Sequence, residues 1–159
     1  MSHVRRQYSE AVDIRINTWA DLTRDEFFDI AVLRSAVFYV EQRADVEDFD
    51  AYDRAPETLH YALHDDDGAA AYLRTLRLLK PEHGASWALG RVAVRRDRRG
   101  EGLARLLIAE AVGRVGSQPM VLHSQTYVQS LYAGFGFEPV GELFHEAGIE
   151  HVSMVRLPS

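Results

Sequence analysis

The chain contains no cysteine among its 159 residues. Disulfide bonds, a cysteine nucleophile and a zinc site held by cysteine are therefore excluded. A reducing compartment fits this absence, and we expect a cytoplasmic protein. The seven histidines are not expected to hold a metal ion either.

A long apolar run and an excess of positive charge are also missing. The first absence predicts no membrane span, and residues 1–10 are too polar for a secretory signal and are expected to form a flexible tail. The formal net charge of −6 argues against a general nucleic-acid-binding protein, which needs a broad positive surface. With 47% hydrophobic residues the chain can bury one core, so we expect a single domain over residues 1–159.

Hydrophobic periodicity alternates between strands and helices along the chain. Predicted strands cover residues 12–19, 58–64, 69–79, 87–94, 119–124, 138–146 and 149–157, and predicted helices cover 22–40, a segment from about 103, and 128–137. Thr23 or Asp21 is the expected N-cap of the first helix. The Asp67-Gly68 pair predicts a hairpin. This order favours an α/β fold with helices around a mostly antiparallel sheet.

The most informative stretch is a glycine-rich turn between the strand at 89–94 and the following helix. It reads Arg99-Gly100-Glu101-Gly102-Leu103-Ala104. Two glycines allow close approach of the backbone to a ligand, and the helix adds its positive N-terminal dipole. Five arginines and two acids between residues 95 and 105 give a local charge of 5 − 2 = +3. The turn therefore predicts a site for one small anion such as a pyrophosphate.

Three interpretations of this turn compete with plain helix capping. A P-loop needs a lysine followed by Ser or Thr, and the one lysine, Lys80, lies far from the turn. A dinucleotide-binding turn needs a small residue where Arg105 stands, and an acid after the next strand. The remaining pattern is Arg-x-x-Gly-x-Gly/Ala, filled by Arg99, Gly102 and Ala104.

A second segment strengthens the interpretation of the first. After the strand at 119–124, the pattern is Gln125-x-x-Val128-x-x-Leu131-Tyr132-x-x-x-Gly136-Phe137. The turn and this segment resemble motifs A and B of the GCN5-related N-acetyltransferases, the GNAT family, in the same order. Further similarity to the ElaA-like branch lies in Leu33-Arg34, Val37-Phe38, Val40-Glu41-Gln42, Asp48-x-Asp50-x-x-Asp53, His60, His123-Ser124-Gln125 and Gly148-Ile149-x-His151. Asp45-Val46 and Ala51 depart from that branch, in the expected acceptor loop.

The resemblance implies a central sheet whose strands 89–94 and 120–124 splay apart. It implies acetyl-CoA as the acyl donor and a small-molecule or peptide amine as the acceptor. Tyr132 is implied as the proton donor to the departing thiolate, and the backbone near Val94 as the holder of the oxyanion. The implied coenzyme-binding residues are Val92, Ala93, Val94, Arg99, Gly100, Glu101, Gly102, Leu103, Ala104 and Gln125.

Acidic residues concentrate in the segment 41–57, which has seven acids against two arginines. This segment is either a solvated loop or a surface that attracts a cationic amine. Glu41 is the first choice for the general base that deprotonates the amine, followed by Asp53, His60 and His123. His145 and His151 are expected to face each other across the last hairpin.

Two questions stay open in the sequence. The leading hypothesis is an N-acetyltransferase in which the amine attacks the thioester directly, and the alternative is a non-catalytic module that binds acyl-CoA. Either a monomer or a homodimer is compatible with the residues.

Overall fold

The structure, a computed structural model, describes residues 13–158. Seven strands form one sheet in the order β1-β2-β3-β4-β5-β7-β6, and every neighbouring pair is antiparallel except β4 with β5. The strands are β1 (Ile14–Asn17), β2 (Leu59–Asp65), β3 (Gly68–Glu82), β4 (Ala85–Val94), β5 (Met120–Gln125), β6 (Glu138–Glu146) and β7 (Ile149–Arg156). The helices are α1 (Arg24–Arg34), α2 (Leu103–Val115) and α3 (Gln129–Ala133). The predicted α/β fold with a mostly antiparallel sheet is confirmed.

The first helix begins as predicted at Thr23, in a reciprocal capping box with Glu26. It does not continue as an α-helix to residue 40. Its last part, Ser35–Glu41, is a π-helix, whose wider turns bond each N–H to the carbonyl five residues back. Ile30 and Leu33 of α1 are buried against one face of the sheet, together with Tyr72 of β3.

The second helix packs on the opposite face. Its buried residues are Leu103, Leu107, Ile108 and Ala111, which recur every three to four positions. They join the core formed by inward residues of β3, β5 and β7. The sheet is therefore covered on both faces, and its central strands are fixed between two cores.

Several predicted boundaries need correction. The first strand is only Ile14–Asn17, and residue 12 of the predicted strand lies outside the described residues. The predicted helix at 128–137 is the five-residue α3, preceded by a 3₁₀ turn at Thr126–Val128. Strand β3 extends three residues beyond its predicted end at 79.

The central strands β4 and β5 splay apart, as predicted. Their parallel pairing is limited to Trp87 with Met120 and Ala88 with Val121. Beyond that point β4 contains a bulge, where the register with β3 shifts and Arg91 adopts a φ of 55°. A bulge bends a strand and increases its twist, which carries the end of β4 away from β5. The facing edges of both strands are left without a ladder partner there.

Between residues 13 and 158, no helix is both long and apolar enough to cross a membrane.

Candidate active site

The opening between β4 and β5 is bordered on one side by Val92, Ala93 and Val94. Ala93 is buried beneath α1, whereas Val92 and Val94 pack against the core beneath α2. Alternate side chains thus anchor this end of β4 from both faces of the sheet. Its backbone edge is rigid and free to pair with an extended ligand, as an added strand would.

The glycine-rich turn lies between the end of β4 and the start of α2. Gly100 and Gly102 have φ values of 83° and 79°, a region that residues with a Cβ rarely adopt. Apart from the glycine and its two chain neighbours, no atom of the described residues lies within 4 Å of a Cβ built on Gly100 or Gly102. Gly102 is the N-cap of α2 and offers no capping side chain, so the first N–H groups of the helix are free to bind an anion. A pyrophosphate fits this open cradle of main-chain donors.

The arginines near the turn are largely paired with acids, which corrects the predicted local charge. Arg95 binds Asp65 and Asp97, and Arg98 binds Asp65 and Glu101. The hydrogen bonds from Arg95 and then Arg98 hold the pKa of Asp65 far below its ordinary value. These pairs tie the turn to the end of β2. Because these arginines are paired, the helix N-terminus contributes a larger share of the attraction for an anion than the count of arginines suggested.

Arg99 joins three parts of the site. Its Nε donates a hydrogen bond to the Val94 carbonyl at 3.1 Å, and its Nη2 lies 2.8 Å from the Glu41 carboxylate. The structure thus pairs the predicted general base with a predicted coenzyme-binding residue. Glu41 ends the π-helix, so this ion pair links the first helix to the turn.

Gln125 borders the opening from the other side, at the end of β5. Its Nε2 donates a hydrogen bond to Oε1 of Gln42 at 3.2 Å. Sequence reasoning gave no role to Gln42, although it follows Glu41 directly. The end of the π-helix therefore reaches both edges of the opening, because Glu41 contacts Arg99 and Gln42 contacts Gln125.

Tyr132 lies on the short helix α3 and is 8% exposed. Its ring packs edge-on against Phe137, with 6.3 Å between the ring centroids. Burial raises the pKa of Tyr132 to about 12. Its hydroxyl makes no hydrogen bond to any residue in the range 13–158, so the phenol is a free donor that stays protonated at physiological pH.

The comparison with known families settles what this geometry belongs to. Residues 20–157 match the model described as the acetyltransferase (GNAT) domain. The chain belongs to the GNAT family. As a GNAT acetyltransferase it is an acyl-CoA-dependent acyltransferase that uses an amine acceptor, and the inferred cradle at Gly100 and Gly102 agrees with an acyl-CoA ligand.

Individual relatives support the ElaA-like assignment within the GNAT family. The chain is 36% identical over 141 residues to UPF0039 protein Rv2851c of Mycobacterium tuberculosis, covering 87% of this chain and 89% of that protein. It is 32% identical over 150 residues to Protein ElaA of Escherichia coli, covering 87% of this chain and 95% of ElaA.

Two solved structures share the GNAT fold at high similarity. An acyl-CoA N-acyltransferase from Pseudomonas aeruginosa has a TM-score of 0.82 at 32% identity, over 92% of this chain and 99% of that one. Escherichia coli ElaA has a TM-score of 0.82 at 28% identity, over 91% and 99%. The ElaA-like prediction is confirmed by these similarities.

In this GNAT protein the acidic segment carries less free charge than the sequence suggested. Asp48, Asp50 and Asp53 are paired with three arginines from other elements: Arg34 of α1, Arg74 of β3 and Arg91 of β4. The shortest contacts, both at 2.7 Å, join Arg34 to Asp53 and Arg74 to Asp50. The expectation that these aspartates attract a cationic amine needs correction, because their charges are already balanced.

Two of the candidate bases belong to this ion-pair network. Asp53 is 4% exposed, and although burial raises its pKa, Arg34, Arg74 and the backbone N–H of Asp50 together hold that pKa below the ordinary value. His60 is 2% exposed, its Nε2 donates to the Asp53 carbonyl, and its Nδ1 accepts from the Tyr72 hydroxyl at 2.6 Å. Burial lowers the pKa of His60. Both side chains serve structure in this arrangement.

The last hairpin does not pair its two histidines as predicted. Phe144 lies opposite His151 in the register, and His145 lies opposite Glu150. Successive side chains of a strand point to opposite faces, so His145 is turned away from His151. Phe144 instead stacks on His151, with 5.8 Å between ring centroids.

The spacing of His60 and His64 is four residues, as in helical zinc sites. On strand β2, however, four residues span about 13 Å, too far for a shared metal ion. Across the described part of the chain, no group of three His, Asp or Glu side chains is arranged to hold a metal.

Proposed function

We propose that the chain transfers an acetyl group from acetyl-CoA to an amine of a small molecule or peptide. The observation that carries this proposal is the cradle of free main-chain donors at Gly100 and Gly102, directly beside the unpaired end of β4. These two features offer one continuous path for the pyrophosphate and the pantetheine arm of a coenzyme A thioester.

The backbone does most of the binding in this proposal. The N–H groups of Gly100, Glu101, Gly102, Leu103 and Ala104 hold the pyrophosphate, and the main chain of Val92 and Val94 pairs with the pantetheine amides. Arg99 sets the distance between the turn and β4 through its bond to the Val94 carbonyl. Gln125 borders the arm from the β5 side, held there by Gln42.

When bound, acetyl-CoA supplies an activated acetyl group with a thiolate as the leaving group. Main-chain N–H groups near Val94 stabilise the negative charge that develops on the acetyl oxygen. Tyr132 donates a hydrogen bond to the departing sulfur. The pKa of Tyr132, about 12, exceeds the value near 8.5 of an ordinary thiol. The phenol therefore stabilises the thiolate by hydrogen bonding more than by transferring its proton. Deprotonation of the amine needs a separate base, and Glu41 stays a prediction for that role.

The test is a panel of amines and peptides incubated with acetyl-CoA and followed by release of free thiol. Tyr132→Phe keeps the packing against Phe137 and deletes only the donor, so kcat should fall about 10²-fold with little change in coenzyme affinity. The matched control is Tyr127→Phe, because Tyr127 is a nearby but exposed tyrosine. Equal turnover of the Tyr132→Phe and wild-type enzymes would make Tyr132 a packing residue.

A further inference from the structure

A cluster of titratable side chains lies outside the machinery described so far. Its centre is His123 on β5, whose Nε2 lies 2.9 Å from the Glu82 carboxylate at the end of β3. Nδ1 of His123 lies 3.8 Å from Glu146 at the end of β6, and Glu146 lies 3.6 Å from His151 of β7. Four strands thus contribute one side chain each.

The hydrogen bond to Glu82 fixes which nitrogen of His123 carries the proton. A carboxylate only accepts, so Nε2 must donate to Glu82. Nδ1 is then the basic nitrogen of the neutral ring, and at 3.8 Å from Glu146 it makes no hydrogen bond there. Nδ1 is thus open to a proton from a substrate, and Glu146 lies at ion-pair distance from the imidazolium that would form. A carboxylate that orients an imidazole in this way suits a general base.

His123 lies two residues before Gln125, which borders the opening at the end of β5. Along β5, Leu122 and Ser124 are buried, while His123 and Gln125 alternate onto the other face, where Gln42 lies. The pKa of Glu146 lies below its ordinary value, chiefly because of His123, and the charge of Arg91 on the β4 bulge contributes. The cluster therefore reaches from β6 toward the β4 side of the opening.

The other base candidates are less accessible than His123. Asp53 and His60 are buried in the ion-pair network, and the carboxylate of Glu41 is occupied by Arg99. The His123 side chain is 36% exposed, so an acceptor can reach it.

We propose that His123 is the general base that takes a proton from the acceptor ammonium, with Glu82 as its positioning residue and Glu146 as a second anion that attracts the cation. This proposal rests on the proposed transfer to an amine. His123 accepts one proton from the ammonium at Nδ1, which frees the nitrogen lone pair to attack the acetyl carbon.

The surrounding charges suit this role. Glu146 on β6 and then Glu82 on β3 raise the pKa of His123, whereas burial opposes them. A raised pKa brings the base closer to an amine with a pKa near 10 and strengthens proton transfer. His151 on β7 lies 3.6 Å from Glu146, and the charge of Arg91 on β4 also acts on Glu146.

The test compares pH profiles of kcat for His123→Gln and the control His145→Gln, since His145 is an exposed histidine of β6, the strand that also carries Glu146. We expect His123→Gln to lower kcat about 10²-fold at pH 7, with a gap that narrows as pH approaches the pKa of the amine. Glu82→Gln should move the acid limb of the wild-type profile to lower pH. NMR titration of the His123 ring should show the same displacement without any turnover.

Each result decides between named alternatives. Coenzyme affinity and thermal stability of His123→Gln should equal those of wild type, which separates a catalytic loss from unfolding. An active wild type whose His123→Gln variant keeps its rate and acid limb overturns this inference alone. If the acid limb of the kcat profile persists in His123→Gln but disappears in Glu41→Gln, Glu41 is the general base and this inference is overturned. A wild type that releases no thiol with any amine contradicts the proposed function, and this inference falls with it.

Discussion

Replacing Arg34 with leucine should destabilise the protein strongly, because Arg34 is the centre of the buried ion-pair network. The side chain is 1% exposed and binds Asp48 and Asp53. Breaking a buried pair by removing one partner costs about 3–5 kcal/mol. Asp53 keeps Arg74 at 2.9 Å, so we expect the lower end, about 3 kcal/mol. At about 2–4 °C per kcal/mol, the melting temperature should fall by about 6–12 °C.

The assay is urea unfolding followed by circular dichroism. The control Arg77→Leu removes an arginine whose partner Glu57 lies 3.5 Å away, with both side chains more than half exposed. Such a surface pair contributes at most about 1 kcal/mol. If Arg34→Leu costs no more than Arg77→Leu, the network does not hold the segment 48–54 in place and our account of it is wrong.

The remaining prediction concerns acid and the buried ionisable groups. Burial lowers the pKa of His60 and His64 below the ordinary 6.5, so the unfolded chain binds their protons first and stability should decline as pH falls below about 6.5. The pKa values of Asp50 and Asp53 lie below the ordinary 3.8. A second loss of stability should therefore begin near pH 3.8, as these carboxylates are protonated and their ion pairs break. The ring nitrogens of His64 are buried without a hydrogen-bond partner among the described residues, and His64→Leu should flatten the first decline in melting curves recorded from pH 8 to 3. An unchanged slope would contradict the assignment to His64.

Local sequence signals predicted the order of elements and the position of the glycine-rich turn at the start of α2. The capping box at Thr23, the periodicity of α2 and the two glycines of the turn depend on residues within a few positions of one another. The structure contains these three features because tertiary packing and local preference favour the same conformation at each of them.

The ion-pair network of the acidic segment was not predicted, because its contacts join distant residues. Arg34, Arg74 and Arg91 form ion pairs with aspartates that lie 14 to 43 residues away, which no local charge count can show. The contact between Glu82 and His123 was missed for a related reason. Pro81 is typical of a strand end, whereas β3 continues through it to Glu82 and so reaches His123.

Calorimetric titration with coenzyme A, without divalent metal, tests most directly whether the glycine-rich turn binds the coenzyme. Gly102→Val places a side chain where the pyrophosphate must approach the backbone, and Gly84→Val is the matched control. Gly84 has a similar φ of 81° and equal free space, but lies in the β3–β4 hairpin. We predict that Gly102→Val weakens binding at least 10-fold, about 1.4 kcal/mol, while Gly84→Val stays near wild type. Equal affinities of the folded Gly102→Val and wild-type proteins would contradict the account.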